Sequence, residues 1–169
     1  MKTTDENGRD HFKGHAIASE QIAKTVMKRL KFDNDTIRKV TKLVAYHDYR
    51  MEPTGANVRR AMYEIGVELF PYYLAVRLAD TKAQSSYERR GKLENIIQIR
   101  ELYRNALRNK ECVTLKDLAV TGTDLINLGI APGKELGTLL NELLDMVIED
   151  PAWNQKGKLC DYVKERFGF

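Results

Sequence analysis

Two histidines and two aspartates are the side chains of this sequence best suited to hold a metal ion. His47 and Asp80 lie on two predicted helices, His15 lies four residues before the predicted start of another, and Asp48 directly follows His47. Neutral imidazoles and carboxylates are the usual protein ligands of Mn, Fe, Zn and Mg, provided that they converge from different helices. The order of these residues therefore indicates a candidate metal site within a helical fold.

The pattern leaves two interpretations open. In the first, His15, His47, Asp48 and Asp80 follow the H…HD…D order of metal-dependent phosphohydrolases, in which a metal-bound water attacks a phosphate ester. In the second, His47 is a core histidine and the acids are solvated. His47 shares a helical stripe with Val40, which suits both interpretations.

A long predicted helix carries a basic face that suits RNA. Arginines recur at four-residue spacing along it or lie at its entry: Arg89, Arg90, Arg100, Arg104 and Arg108. Guanidinium groups in a row match phosphate oxygens spaced along an RNA backbone. The alternative is a solvated face that Glu94 and Glu101 partly balance.

A second basic feature is the turn Leu128–Lys134, which lies between two predicted helices. Pro132 and Gly133 leave free backbone N–H groups at the start of the next helix, and Lys134 adds a positive charge. Such a helix start favours an anion. The alternative is a capped helical hairpin that belongs to the core.

Apolar spacing predicts an all-α fold, an HD-like helical bundle followed by a small helical tail. Helices are expected at Ser19–Leu30, from Asn34 or Asp35, from Asn57, from Pro71 to Asp80, around Leu93–Leu107, and at Thr123–Leu128, Lys134–Ile148 and Gly157–Phe167. Residues 1–14 are expected to be a loop or lid. The predicted domains are 1–110, a partial bundle with this lid, and 111–169, the tail.

Composition excludes several classes of protein. Residues 1–110 carry 22 Lys and Arg against 14 Asp and Glu, whereas residues 111–169 carry 6 against 10, so a polyanionic partner suits the first part. Two cysteines, Cys112 and Cys160, exclude a disulfide framework and a four-cysteine zinc site. The longest apolar stretch, Leu69–Val76, is far below the roughly 18–20 residues of a membrane span. No secretory signal is evident, and a cytoplasmic location is expected.

Several segments resemble one family in the right order. Asn7–His15 (NGRDHFKGH) and the following SEQIAKTVMKRLKFDNDTIRKVTKLVAYH look like the HD-domain part of bacterial CCA-adding tRNA nucleotidyltransferases, members of the wider poly(A) polymerase family. Val76–Gln84 (VRLADTKAQ) resembles the segment with the family's last acidic residue. Val120–Asn154 (VTGTDLINLGIAPGKELGTLLNELLDMVIEDPAWN) closely resembles its tail.

The resemblance implies an incomplete metal site. His15, His47 and Asp80 match the later His, His and Asp of the family's H…HD…H…H…D signature, and Asp48 becomes an ordinary neighbour. The family's His–Asp dyad has no counterpart here, so a divalent metal (Mn, Mg or Ni) would bind weakly. No cofactor is otherwise expected.

The resemblance also implies a function. The family's nucleotidyltransferase head has no counterpart in this sequence, and its tail grips tRNA by shape and backbone. The interpretation is therefore an RNA-binding scaffold of a tRNA nucleotidyltransferase, inactive alone, with tRNA and a separate head as partners. The alternatives are a stand-alone metal phosphohydrolase and an interaction module that forms a homodimer through an exposed apolar face.

Overall fold

The computed structural model describes residues 2–4, 10–12, 15–83, 86 and 88–168. Within this part, the chain forms eight α-helices and one short 3-10 helix. They are α1 (His15–Arg29), α2 (Asn34–Tyr46), α3 (Gly55–Ile65), α4 (Phe70–Ala83), α5 (Arg89–Arg108), α6 (Gly122–Asn127), α7 (Lys134–Glu149), the 3-10 helix (Pro151–Trp153) and α8 (Lys156–Phe167). The predicted all-α class is confirmed. No helix in the described ranges combines the length and the apolar character needed to cross a membrane.

Two three-residue strands precede the helices. β1 (Lys2–Thr4) and β2 (Asp10–Phe12) pair antiparallel, with Thr3 opposite His11. The sequence predicts only a loop or lid over residues 1–14, which is wrong for these six residues. Strands this short leave no run of alternating residues for a sequence pattern to reveal. The remainder of the predicted lid lies outside the described residues.

Side-chain caps explain where several helices begin. Asp33 accepts a hydrogen bond from the Thr36 backbone N–H at 2.9 Å and caps α2. Thr54 caps α3 by accepting from the Asn57 N–H at 3.2 Å, so the predicted start at Asn57 is three residues too late. A short polar side chain in extended backbone satisfies amide groups that the first helical turn leaves unpaired.

The described residues group into two compact units. The first unit contains those within Met1–Arg50 and Glu68–Leu93, and the second contains those within Met51–Val67 and Glu94–Phe169. The predicted domain boundary, after residue 110, divides the chain differently from these two units. The two predicted domains stay a prediction. The contacts within the chain place α3 and most of α5 in the same unit as the C-terminal helices.

The second unit is built around an apolar core. Helices α6, α7 and α8 contribute one cluster of deeply buried side chains: Leu125, Leu143, Leu144, Val147, Ile148, Leu159 and Val163. Helices α3 and α5 of the same unit also bury side chains fully: Val58, Ala61, Ile65 and Ile99. Trp153 packs against this core, and its ring lies edge-on to that of Tyr162 in α8, with the centroids 6.2 Å apart. The 3-10 helix therefore positions an aromatic contact to the last helix.

A buried arginine fastens α3 to the end of α7 within the second unit. Arg59 donates from Nε to the Ile148 carbonyl at 2.7 Å and from Nη2 to the Glu149 carbonyl at 3.1 Å. Its Nη1 pairs with the Glu111 carboxylate at 2.7 Å. These acceptors include carbonyls that a helix C-terminus leaves without intrahelical partners.

In the first unit, α1 packs against α2, and α2 packs against α4. The buried face of α4 carries Phe70, Tyr73, Leu74, Arg77 and Thr81. None of the residues of α1 is fully buried, and its apolar side chains Ile17 and Ile22 are about two-thirds exposed. The first unit therefore leaves apolar surface uncovered.

Candidate functional site

The packing of α1 on α2 brings two of the predicted metal ligands together. His15 opens α1 and His47 follows α2 as its C-cap, and both are half-buried. Their Nε2 atoms lie 3.0 Å apart, and the rings meet edge-on with centroids 4.9 Å apart. We call these two residues the histidine pair.

The orientation of His47 is fixed by its own helix. Its Nδ1 lies 2.6 Å from the Val44 carbonyl oxygen, and because a carbonyl only accepts, Nδ1 must carry the proton. In the neutral ring, Nε2 then has a lone pair, which accepts a hydrogen bond from His15 Nε2. Metal-binding histidines are held in the same manner, with the second ring nitrogen tied to a carbonyl or carboxylate.

Asp80 lies with His47 on an apolar groove of the first unit. The groove has a volume of about 690 Å³ and is lined from α1, α2 and α4 by Ser19, Val40, Leu43, Val44, His47, Val76, Ala79, Asp80 and Ala83. The stripe Val76, Ala79, Asp80 and Ala83 has helical spacing, so one face of α4 forms one wall. The predicted third ligand therefore borders the same groove as His47.

Asp48 has a different environment. Its carboxylate is exposed and accepts two hydrogen bonds from Arg50, at 3.2 Å from Nε and 3.0 Å from Nη2. The phosphohydrolase interpretation needs the Asp48 carboxylate as a metal ligand, but in the structure this carboxylate forms an ion pair with Arg50.

The donor set fits a divalent cation only in part. Two imidazole nitrogens converge, but no group of three His, Cys, Asp or Glu side chains within the described ranges could hold a metal ion. Tight transition-metal sites in proteins normally use three or four such ligands. The histidine pair is thus the observed core of the candidate site, and Asp80 would have to approach it to bind the same ion.

Helix α5 presents three of the predicted arginines on one exposed face. Arg100, Arg104 and Arg108 are all exposed, whereas Ile99 and Ala106 are buried on the opposite side of the helix. We call the three residues the arginine face. Four-residue spacing places successive arginines slightly more than one helical turn apart, about 6 Å along the helix axis.

The three arginines differ in their partners. Arg104 donates to the Glu101 carboxylate at 2.8 Å, a half-exposed pair of modest strength. Arg100 and Arg108 make no hydrogen bond or ion pair with any residue that the structure describes. Two of the three charges are thus available to an external anion.

The other predicted RNA-binding residues lie elsewhere. Arg89 and Arg90 open α5 within the first unit, where Arg89 is half-buried and Arg90 is exposed. Lys134 is the exposed first residue of α7 and follows Gly133, whose φ of 145° suits glycine. The structure therefore does not gather all six predicted residues on one helix face.

Sequence reasoning missed two features of the first unit. Arg77 is buried although it is charged, and the groove beside His47 is open although its lining is apolar. The stripe of small and apolar residues on α4 is visible in the sequence, but periodicity does not say whether a partner helix covers it. A charged residue within an apolar run, as in VRLAD, is the signal that could have indicated Arg77.

The fold and these residues define an all-α protein that has an exposed basic helix, α5, and the histidine pair where α1 packs against α2. The family model for tRNA nucleotidyltransferase domain 2 matches residues 15–163, which is nearly the whole chain. The chain belongs to this family. Searches of curated proteins and of solved structures found no match.

Proposed function

We propose that this chain is the RNA-binding scaffold of a tRNA nucleotidyltransferase and holds tRNA while a separate head adds nucleotides to the 3′ end. The observation that carries the proposal is the arginine face in a member of this family. The guanidinium groups of Arg100 and Arg108 are exposed and make no hydrogen bond or ion pair within the described part of the chain. RNA phosphates would replace water around Arg100 and Arg108 and release counterions from the backbone. Arg89, Arg90 and Lys134 would add contacts from other parts of the chain.

The first test measures tRNA affinity. The double variant Arg100→Ala/Arg108→Ala should bind tRNA at least tenfold more weakly than the unmodified chain at low salt. Its matched control is Arg38→Ala/Arg50→Ala, which removes two exposed arginines from the first unit and should change the affinity far less. Equal losses in the two variants would show that only net charge matters and would contradict a defined arginine face.

A second test concerns catalysis. The proposed scaffold neither binds CTP or ATP specifically nor extends RNA. Incubation of the purified chain with labelled CTP and a tRNA that lacks its 3′ end should therefore give no incorporation. Incorporation above that of a heat-inactivated sample would contradict the role as a passive scaffold.

A metal-dependent role is the second candidate, and the histidine pair favours it. We propose that His15 and His47, with Asp80 as a third ligand, take up Mn, Mg or Ni weakly. When bound, such an ion supplies Lewis-acid activation of a phosphate or a water. Titration calorimetry with Ni²⁺ should detect binding that His47→Ala abolishes and Asp48→Asn preserves. Phosphodiester hydrolysis lost in both variants would favour the phosphohydrolase alternative.

The third candidate is a homodimer formed through the first unit. A two-fold symmetric interface uses the same patch of both copies, and the groove and the exposed apolar side chains of α1 supply apolar surface within one unit. Light scattering after size-exclusion chromatography should give twice the chain mass, and Val76→Lys should return the monomer mass. A monomer at high concentration would contradict this candidate.

The proposed place of action is the cytoplasm. Both cysteines are free thiols, and such thiols suit a reducing compartment.

A further inference from the structure

A cavity of the second unit lies between the 3-10 helix and α8 and has aromatic and acidic walls. Its volume is about 410 Å³. Trp153 of the 3-10 helix and Tyr162 of α8 line it, and their rings meet at 75° with the centroids 6.2 Å apart. Both side chains also pack against the apolar core of this unit and are half-buried. The aromatic walls of the cavity are therefore held in place by the core.

The charged walls of the cavity come mainly from one face of α8. Lys158, Asp161, Tyr162 and Glu165 line the cavity and are spaced by three and four residues, so they share a helix face. Asp150 adds a carboxylate from the start of the 3-10 helix, which it caps by accepting from a backbone N–H at 2.9 Å. Three carboxylates against one ammonium leave the lining with a net negative charge.

The negative charge of the α8 face is not neutralised from within the cavity. Lys158 donates from Nζ to the Ala152 carbonyl at 3.0 Å and forms no ion pair with any described residue. Asp161 lies 3.7 Å from Lys164 in an exposed pair that water screens. Glu165 makes no hydrogen bond or ion pair within the described ranges. Like charges four residues apart on a helix also repel each other, as Asp161 and Glu165 do.

We propose that this cavity binds an organic cation, an alkylammonium or a guanidinium group. The face of an aromatic ring attracts such a cation, and tryptophan does so most strongly. The carboxylates of Asp161 and Glu165 accept hydrogen bonds from the N–H groups of the same cation, which relieves their mutual repulsion. A volume of about 410 Å³ is large for a single metal ion and falls within the roughly 300–1,000 Å³ of small-molecule sites.

This site goes beyond the scaffold role, because it takes a cation whereas RNA is an anion. Residues 111–169 carry 6 Lys and Arg against 10 Asp and Glu, so their overall charge also favours a cationic ligand. The cation comes from one of two sources, a free polyamine or a basic side chain of a partner protein. Both present the same N–H donors to the same carboxylates and rings.

The test uses the fluorescence of Trp153, which is the only tryptophan of the sequence and therefore reports on the cavity. Titration of the full chain with spermidine, and separately with arginine amide, at constant ionic strength should change this fluorescence saturably. Asp161→Asn/Glu165→Gln should weaken the apparent affinity at least tenfold. The control Glu94→Gln/Glu135→Gln removes the same charge from exposed positions of the same unit outside the cavity and should bind like the unmodified chain.

A second pair of variants tests the aromatic wall. Tyr162→Phe keeps the ring and should keep the affinity within about twofold, whereas Tyr162→Leu should weaken it several-fold. If Tyr162→Leu does not fold, the carboxylate variant alone decides, by the tenfold criterion.

No saturable response to either cation, equal affinities in the carboxylate variant and its control, or equal affinities in the two Tyr162 variants would overturn the proposal. The cation that binds more tightly identifies the source: spermidine indicates a free polyamine, and arginine amide indicates a basic side chain of a partner protein. Loss of tRNA binding in the arginine-face variant is independent of either result.

Discussion

At the scale of single residues, two adjacent arginines of α3 have opposite environments. Arg59 is buried against the end of α7 and Glu111, whereas Arg60 is partly exposed and pairs with the Asp145 carboxylate at the surface. Removing a buried partner leaves another buried group uncompensated, but a surface pair is well solvated when broken. Their contributions to stability should therefore differ widely.

The prediction compares Arg59→Met with Arg60→Met. Arg59→Met should lower the free energy of unfolding by about 3–5 kcal/mol, because Glu111 and two helix-end carbonyls lose their donor. Arg60→Met should cost less than about 1 kcal/mol. Urea unfolding followed by circular dichroism measures both. Similar losses in the two variants would show that the buried network adds nothing beyond a surface pair.

A second residue-scale prediction concerns the buried thiol. Burial, with the nearby Asp117 carboxylate, raises the pKa of Cys112 to about 11. Because the thiolate is the reactive form, Cys112 should be inert to disulfide reagents at pH 8 in the folded chain. The variant Cys160→Ser isolates this thiol for measurement. It should be labelled only in denaturant, and rapid labelling of the folded variant would contradict the burial of Cys112.

At the scale of elements, the short helix α6 is held by its first residues. Thr121 and Asp124 form a capping box, and Asp124 also pairs with the Lys156 ammonium at 2.6 Å. The Lys156 partner, followed by the Thr121 amide and hydroxyl, lowers the pKa of Asp124 to about 2 from an ordinary 3.8. The folded state therefore favours the ionised carboxyl.

The sign of this shift gives a pH prediction. The stabilisation from Asp124 should be complete above about pH 4 and should disappear as the pH falls through about 2. The difference in urea midpoint between the unmodified chain and Asp124→Asn should thus shrink from pH 6 to pH 2.5. Lys156→Met removes the principal cause, and in that background the pH dependence should be shallower. A difference that is constant with pH would contradict the ion pair and capping box.

Sequence patterns predicted the helices well because apolar spacing records which face of each helix is buried. They placed α3 three residues late, because Thr54 and Asn57 are both good caps and the pattern does not choose between them. They missed β1 and β2, whose three residues carry no usable period. Element boundaries depend on single hydrogen bonds that spacing does not encode.

At the scale of the whole molecule, the sequence predicted the class and the family but not the grouping of the helices. Chain contacts place α3 with α7, through a buried arginine that a count of apolar residues does not register. The histidine pair was predicted as a candidate from residue type, yet its contact depends on α1 packing against α2. Apolar spacing along the sequence does not predict which polar residues from distant parts of the chain contact each other.

The salt dependence of tRNA binding tests the scaffold role most directly. Each phosphate contact that an arginine makes contributes roughly 0.9 to the slope of log affinity against log salt concentration. Fluorescence anisotropy with labelled tRNA over a range of salt should give a steep negative slope for the unmodified chain. For Arg100→Ala/Arg108→Ala, the slope should be shallower by roughly 2. An equal slope for both chains, or no measurable binding of tRNA at low salt, would contradict the account.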